Sequence, residues 1–332
     1  MKSWFPSAAL MLLSGTAAAS PSVWTKARDP ERGRAEQTLV AAERMADYAA
    51  EVRSDAPYAD GDRQRMYTDF MRAVVAELEL AQVSKLPDPR LRFLYGSALV
   101  DIGRDESGRR ALRRALTEAP DSPLAARAWF ELAIASARAG DPATEFEGYT
   151  RALERTWEGE LRAVQEMNRG ESSMVAGRLR AAIEDYRRAL DDSSSPETQA
   201  LALWGLGVAL ERAGDLPSAL EAVGRASQIR MFGIGGASVL DLPSVFFVPA
   251  YDVHYYKALG AMADSRAAEH PAEKKLDLEV ALFEWDRYLE QAEPDAHVWV
   301  GNAKRLRARC ERDLEKLKHE RAPRAARKAP AR

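Results

Sequence analysis

Thiols and imidazoles are nearly missing from this sequence. A single cysteine, Cys310, stands among 332 residues, which excludes an internal disulfide framework and any CxxC redox or metal site. The four histidines, His254, His270, His297 and His319, are scattered and leave little for a histidine-rich metal centre. No GxSxG, HExxH or GxxxxGK[ST] pattern is present. Gly233 to Gly236 follows no strand and completes no GxGxxG, so it is not a dinucleotide fingerprint. Nothing in the chain requires catalysis, and no cofactor or metal is expected. Acidic residues sit among arginines at spacings of three and four, as Glu184 does with Arg187 and Arg188, the pattern of solvated helix faces. Carboxylates paired on a glycan stay open as an alternative, because their separation is a three-dimensional quantity.

What is present describes a folded chain. Hydrophobic residues make up 46% of it, and 48 basic side chains nearly balance 51 acidic ones, a composition unlike that of disordered chains. The net charge of −3 is an average over unlike parts. Residues 304–332 hold 12 basic and 4 acidic side chains, so that segment is +8 and the remainder −11. At the other end, Lys2, the apolar stretch Trp4 to Leu13 and the small residues Ala17 to Ala19 have the layout of a cleavable signal peptide. That stretch is short of the roughly 20 residues needed to span a bilayer. The expectation is an exported protein, periplasmic or extracellular, starting near Ser20 and with no transmembrane segment in the mature chain.

The dominant feature is a repeat. Gly103, Gly140, Gly177 and Gly214 are 37 residues apart, as are Ala115, Ala152, Ala189 and Ala226. Gly96, Ala133, Gly170 and Gly207 keep the interval, and so do Leu112, Tyr149, Tyr186 and Val223. In each unit a helical pattern runs into the first glycine column, where a helix can end at positive φ, and a second pattern begins a few residues later. Each unit is therefore predicted to be a helix hairpin. The small residue seven positions before the glycine lets the two helices approach, and the larger column on the second helix fills the space between them. One such hairpin cannot bury its apolar side alone, so units must stack.

These residues resemble a known family. The stretch Leu203 to Asp215 (LWGLGVALERAGD) with Ala219-Leu220 and Ala226, together with Trp129 to Ala152, Ala182 to Leu190 and Tyr95 to Pro120, looks like tetratricopeptide repeats covering residues 89–230. The period is 37 where the family's is usually about 34, which places some three extra residues per unit most simply in the turn between units. The third unit departs most, with Arg169 and Ser173 where larger apolar residues are usual. The resemblance implies an all-α, right-handed superhelix whose first helices line a concave groove that takes protein or peptide partners. Carried over by register, the groove positions are Arg90, Phe93, Ser97 and Asp101, then Arg127, Phe130, Ile134 and Arg138. The third unit supplies Met167, Glu171 and Met174, and the fourth Leu201, Trp204, Val208 and Arg212. Aromatics with arginines suit an interface, although Phe93, Phe130 and Trp204 could equally pack on a neighbouring helix. The family's Lys and Asn carboxylate clamp is not evident.

Around this array, residues 20–88 read as a linker and a capping hairpin, with Leu39, Ala42, Met45 and Ala49 on one helix face and Met66, Phe70, Val74 and Leu78 on another. Residues 253–295 read as a degenerate fifth repeat with about nine extra residues between Gly260 and Ala281. Residues 296–320 read as a closing helix using Val298, Ala303, Leu306, Cys310, Leu314 and Leu317. The segment 231–252 is too rich in Gly and Pro for a helix and too apolar for a solvated linker. It either folds back as packing material or lines the groove as a binding element. Residues 321–332, basic with Ala and Pro, read as a disordered tail, a solubilising end or a weak contact for anionic surfaces; nucleic acid is not expected. The leading function is a non-catalytic envelope scaffold. The alternatives are a periplasmic chaperone for extended clients and an enzyme or enzyme subunit acting on envelope glycans.

Overall fold

The computed structural model describes residues 2–3, 29–54, 61–229, 238–242 and 245–326. Among these the chain is all-α. Its helices are α1 (Pro30–Ser54), α2 (Gly61–Leu80), α3 (Pro89–Asp101), α4 (Asp105–Glu118), α5 (Ala125–Arg138), α6 (Pro142–Leu153) and α7 (Glu160–Val175). They continue with α8 (Leu179–Asp192), α9 (Pro196–Arg212), α10 (Leu216–Gln228), α11 (Asp252–Ala267), α12 (Pro271–Ala292) and α13 (Val300–Ala326). Consecutive helices pack as hairpins, each hairpin packs on the next, and α13 lies against α12. The one strand pairing among the described residues joins β1 (Lys2–Ser3) to β2 (Val245–Phe246).

The repeat columns act as the spacing predicts. Gly103, Gly140, Gly177 and Gly214 all have positive φ, 69° to 94°, and end α3, α5, α7 and α9 in one recurring cap. In the second unit the amide of Gly140 donates to the Ala137 carbonyl and that of Asp141 to Ser136, the pairing that satisfies the last carbonyls of a helix. Asp141 and Asp215 then cap the following helices, accepting from the Thr144 and Ser218 amides at 3.1 and 3.2 Å. In the close-approach column a β-carbon on Gly96 would lie 2.7 Å from the Leu112 side chain, and one on Gly207 2.5 Å from Val223. Leu112, Tyr149, Tyr186 and Val223 are buried, as is the whole alanine column. The extra residues sit largely between units: six connect α4 to α5 and six connect α6 to α7, while three suffice between α8 and the longer α9.

Three expectations at the ends are corrected. In α2 the buried face is Tyr67, Met71, Val74, Val75 and Leu78, so Met66 points to solvent and Phe70 is only half-buried, edge-on to Tyr48 at 5.0 Å. Val298 is exposed ahead of α13, although Ala303, Leu306, Cys310 and Leu314 are buried as expected. The closing helix also runs past residue 320 to Ala326, so the tail is not irregular from Arg321 onward; residues 327–332 lie outside the described residues. The signal-peptide segment lies outside them too, except for the backbone of residues 2–3. The fifth hairpin is present, α11 with α12, its extra residues lengthening both helices. A β-carbon on Gly260 would meet Trp204 at 2.6 Å, so the fifth unit fits onto the fourth as closely as the helices within a unit fit each other. No described helix is long and apolar enough to cross a membrane.

Candidate protein-binding groove

The inner helices of the array are α3, α5, α7, α9 and α11, and their shared face divides into a covered part and an open part. The covered part lies under the segment after α10. Its described residues place Val239, Leu240 and Leu242 in the main core cluster. Phe246 packs against the cluster of Phe130, Ile134, Tyr149 and Val164, with the Arg138 guanidinium 5.3 Å from its ring. Phe247 meets Tyr256 edge-on at 5.3 Å, and Asp241 pairs with Lys257 at 2.7 Å. The described residues of the segment thus bridge α5 to α11 as packing material over positions that register assigned to the groove.

Beneath it the array is held by polar contacts at full burial. Both Tyr186 and Tyr256 donate to Glu171, at 2.7 and 3.0 Å, tying α7 to α8 and α11. Arg212 pairs with Asp252 at 3.1 Å and stacks on Tyr255 and Trp299, 4.9 and 5.0 Å from their ring centres. Burial is the largest single influence on this guanidinium and lowers its pKa, but Asp252 together with Tyr255, Tyr256 and Glu171 outweighs it and the net shift is upward. Tyr255 donates to Glu211, which also accepts from Asn302 at 3.3 Å. The helix α7 is polar yet buried: Gln165, Glu166, Asn168, Glu171, Ser172 and Ser173 are all enclosed. The departures of the third unit become intelligible here, since Arg169 is an ion-pair partner of Asp185 at 2.6 Å.

The open part is a cavity of about 480 Å³ between α1, α3 and α5. Its lining includes Leu39, Met71, Phe93, Leu94 and Leu161, with Arg90, Ser97, Asp101, Arg127 and Glu131 along the walls. Tyr67 donates to Asp101 at 2.8 Å, and Glu131 accepts from both Ser97 and Arg127. At the rim, in the α6–α7 connection, Trp157 is 91% exposed, followed by Gly159 at φ 85°. An indole in water costs free energy that contact with a partner would recover.

Of the ten groove candidates, Arg90, Phe93, Asp101 and Arg127 are brought together in this cavity. Phe93 is nonetheless only 2% exposed and packs in a core cluster; Phe130, Met167, Met174 and Trp204 are buried away from the cavity, and Arg212 is enclosed in its ion pair. Arg138 is half-buried, donating to the Val100 carbonyl and to Asp105, both at 3.3 Å. Sequence reasoning missed Glu43, Tyr67 and Met71, which come from outside the repeats, and Trp157. The last had a signal, a tryptophan between turn residues in one of the six-residue connections that lengthen the period, and loops of that kind carry function. Among the described residues no group of three or more His, Cys, Asp or Glu side chains could hold a metal ion.

Comparison with protein families matches residues 93–160 and 167–232 to a model described as tetratricopeptide repeat. No curated protein matches the chain. Among solved structures, the crystal structure of MamA protein is similar at 16% identity over 55% of this chain and 90% of that one, with a TM-score of 0.42. BtubC (BKLC) from P. vanneervenii is similar at 20% identity over 59% and 91%, TM-score 0.45. The pilF protein of Pseudomonas aeruginosa is similar at 17% identity over 69% and 91%, TM-score 0.42.

Proposed function

We propose, on the premise that this chain is a tetratricopeptide-repeat protein, that it is a non-catalytic scaffold of the cell envelope which holds a partner protein in the open part of its concave face. The observation that carries this reading is the 480 Å³ cavity between α1, α3 and α5, apolar at its base and rimmed by the exposed Trp157. The fold itself is one of stacked hairpins that mediate protein–protein interaction. Apolar area buried against a partner would contribute roughly 25 cal/mol per Å² before the costs of association. The envelope location is supported by the layout of residues 1–19, a basic start, an apolar stretch and small residues before Ser20.

Two measurements test it. Trp157→Ala, at a side chain 91% exposed, should abolish capture of the partner retained by the unaltered protein while leaving helicity unchanged; a variant that holds the same protein equally well would move the site away from this cavity. Amino-terminal sequencing of protein recovered from the native envelope fraction should begin near Ser20, and recovery of Met1 from the cytoplasm would end the export reading.

A further inference from the structure

We propose that the cavity between α1, α3 and α5 selects an extended partner segment in which basic side chains flank an apolar anchor. This rests on the protein-binding reading above and adds the partner's chemistry. The apolar lining that stays partly exposed, Leu124 and Leu161, together with the Trp157 indole at the rim, calls for an apolar side chain. The sign of the charge follows from which ionic groups at the site are already matched.

The cations there are engaged within the protein. Arg90 donates from Nε to both Asp88 oxygens at 3.1 Å and from one Nη at 2.6 Å. Arg127 is paired with Glu131. Arg155 donates to the Arg151 carbonyl at 3.0 Å and lies 3.5 Å from the Glu154 carboxylate. Two carboxylates at the site have no such match. Glu43, half-buried on α1, and Glu158, exposed to solvent beside Trp157, line the cavity and make no hydrogen bond or ion pair within contact distance among the described residues. Burial pushes Glu43 above the ordinary carboxylate range, Arg90 opposing and Asp47, one helical turn away, adding to the rise. Asp47 is raised in turn, by its own burial and by Glu51. A partner cation placed between Glu43 and Glu158 would relieve this, whereas a partner carboxylate would add a further like charge.

The test uses the full chain and three fluorescein-labelled synthetic peptides: one of repeating Leu-Arg-Pro-Ala, the same peptide with Glu for Arg, and residues 319–332 of this chain, which are basic but have no large apolar side chain. In about 0.1 M salt the Leu-Arg peptide is expected to bind saturably and roughly tenfold or more tighter than either of the others. Glu43→Gln with Glu158→Gln should cut the preference for Arg over Glu to below about threefold, and Trp157→Ala should weaken both Leu-containing peptides. The proposal is overturned if the Leu-Glu peptide binds as tightly, if the preference survives the double substitution, or if residues 319–332 bind as well as the anchored peptide. If no peptide binds while Trp157→Ala still abolishes partner capture, this inference falls alone; if capture is also unaffected, the reading it rests on falls with it.

Discussion

Gly140 and Gly96 are both required glycines of the repeat, for opposite reasons. Gly140 has φ 69° and nothing within 4 Å of where a β-carbon would stand, while Gly96 has ordinary φ and faces Leu112 at 2.7 Å. Gly140→Ala should therefore cost about 1 kcal/mol through the backbone, and no change in a neighbour should recover it. Gly96→Ala should cost about 1–3 kcal/mol through overpacking, and Leu112→Ala in the same chain should return part of that loss. Urea unfolding of the single and double variants distinguishes the two mechanisms. At Glu166, burial raises the carboxyl to about 7, with Arg162 opposing and Asp192 and Asp185 adding to the rise. A raised carboxyl stabilises the fold in its protonated form, so its contribution is full below the ordinary value near 4.5 and is lost as pH rises through about 7. Glu166→Gln should thus gain stability relative to the parent at pH 8, on the order of 2 kcal/mol, and little at pH 4.5. An equal effect at both pH values in thermal unfolding would contradict this assignment. The Cys310 thiol, which burial lifts to about 11, is expected to stay unmodified by a thiol reagent until α13 detaches.

Two elements show how polar groups are accommodated inside the solenoid. The first is the helix α7, part of whose polar side chains is received by other helices: Glu145 accepts from Ser172, Asp185 from Arg169 at 2.9 and 2.6 Å, and Glu171 from Tyr186 and Tyr256, while Gln165 and Ser173 are enclosed without a hydrogen-bond partner among the described residues. The second is the junction of α9 with α11. Removing one partner of the buried Arg212–Asp252 pair leaves an uncompensated charge, so Arg212→Met should destabilise by about 3 kcal/mol or more. Arg212→Met with Asp252→Leu should recover most of the loss, since well-packed apolar residues often replace a buried ion pair at little cost. A double variant as unstable as the single one would mean that the stacking of Arg212 on Tyr255 and Trp299, and not the charge, holds the junction.

At the scale of the molecule, stability is distributed unevenly along the stack. The carboxy-terminal half shares one continuous buried cluster from α7 to α13, whereas α1, α2 and α3 form a separate one. In such an array each hairpin is stabilised mainly by its neighbours, and among the described residues α1 with α2 has a helical neighbour on one side only. Hydrogen exchange should therefore show α1 and α2 opening before α9 to α12. Occupation of the cavity by a partner should slow that opening, because α1 supplies one of its walls. Uniform protection from α1 to α12 would show that the array unfolds as one unit.

The four regular hairpins and their register were legible without coordinates, because they rest on short-range causes: a glycine at positive φ closing each first helix, and a small residue opposite a large one at a constant interval. The fifth hairpin lacks that glycine, α11 ending at Ala267 and α12 following His270, and only Tyr256, Leu259 and Gly260 announced it. Which groove positions remain open was not legible, since openness depends on what else covers the inner face. Phe130 and Trp204 stand at register positions equivalent to Phe93, yet Phe130 is packed under Phe246 and Trp204 against Gly260. Phe93 is itself only 2% exposed, but among the described residues no such segment crosses α3, and it borders a cavity. Nor could it be read from a repeat that Glu43 and Glu158 line one cavity, one lying before the array and the other in a turn within it. Local chemistry determined the helices, their ends and their spacing; the binding surface was decided only when the stack brought distant residues together and buried some of them, because burial is set by long-range packing.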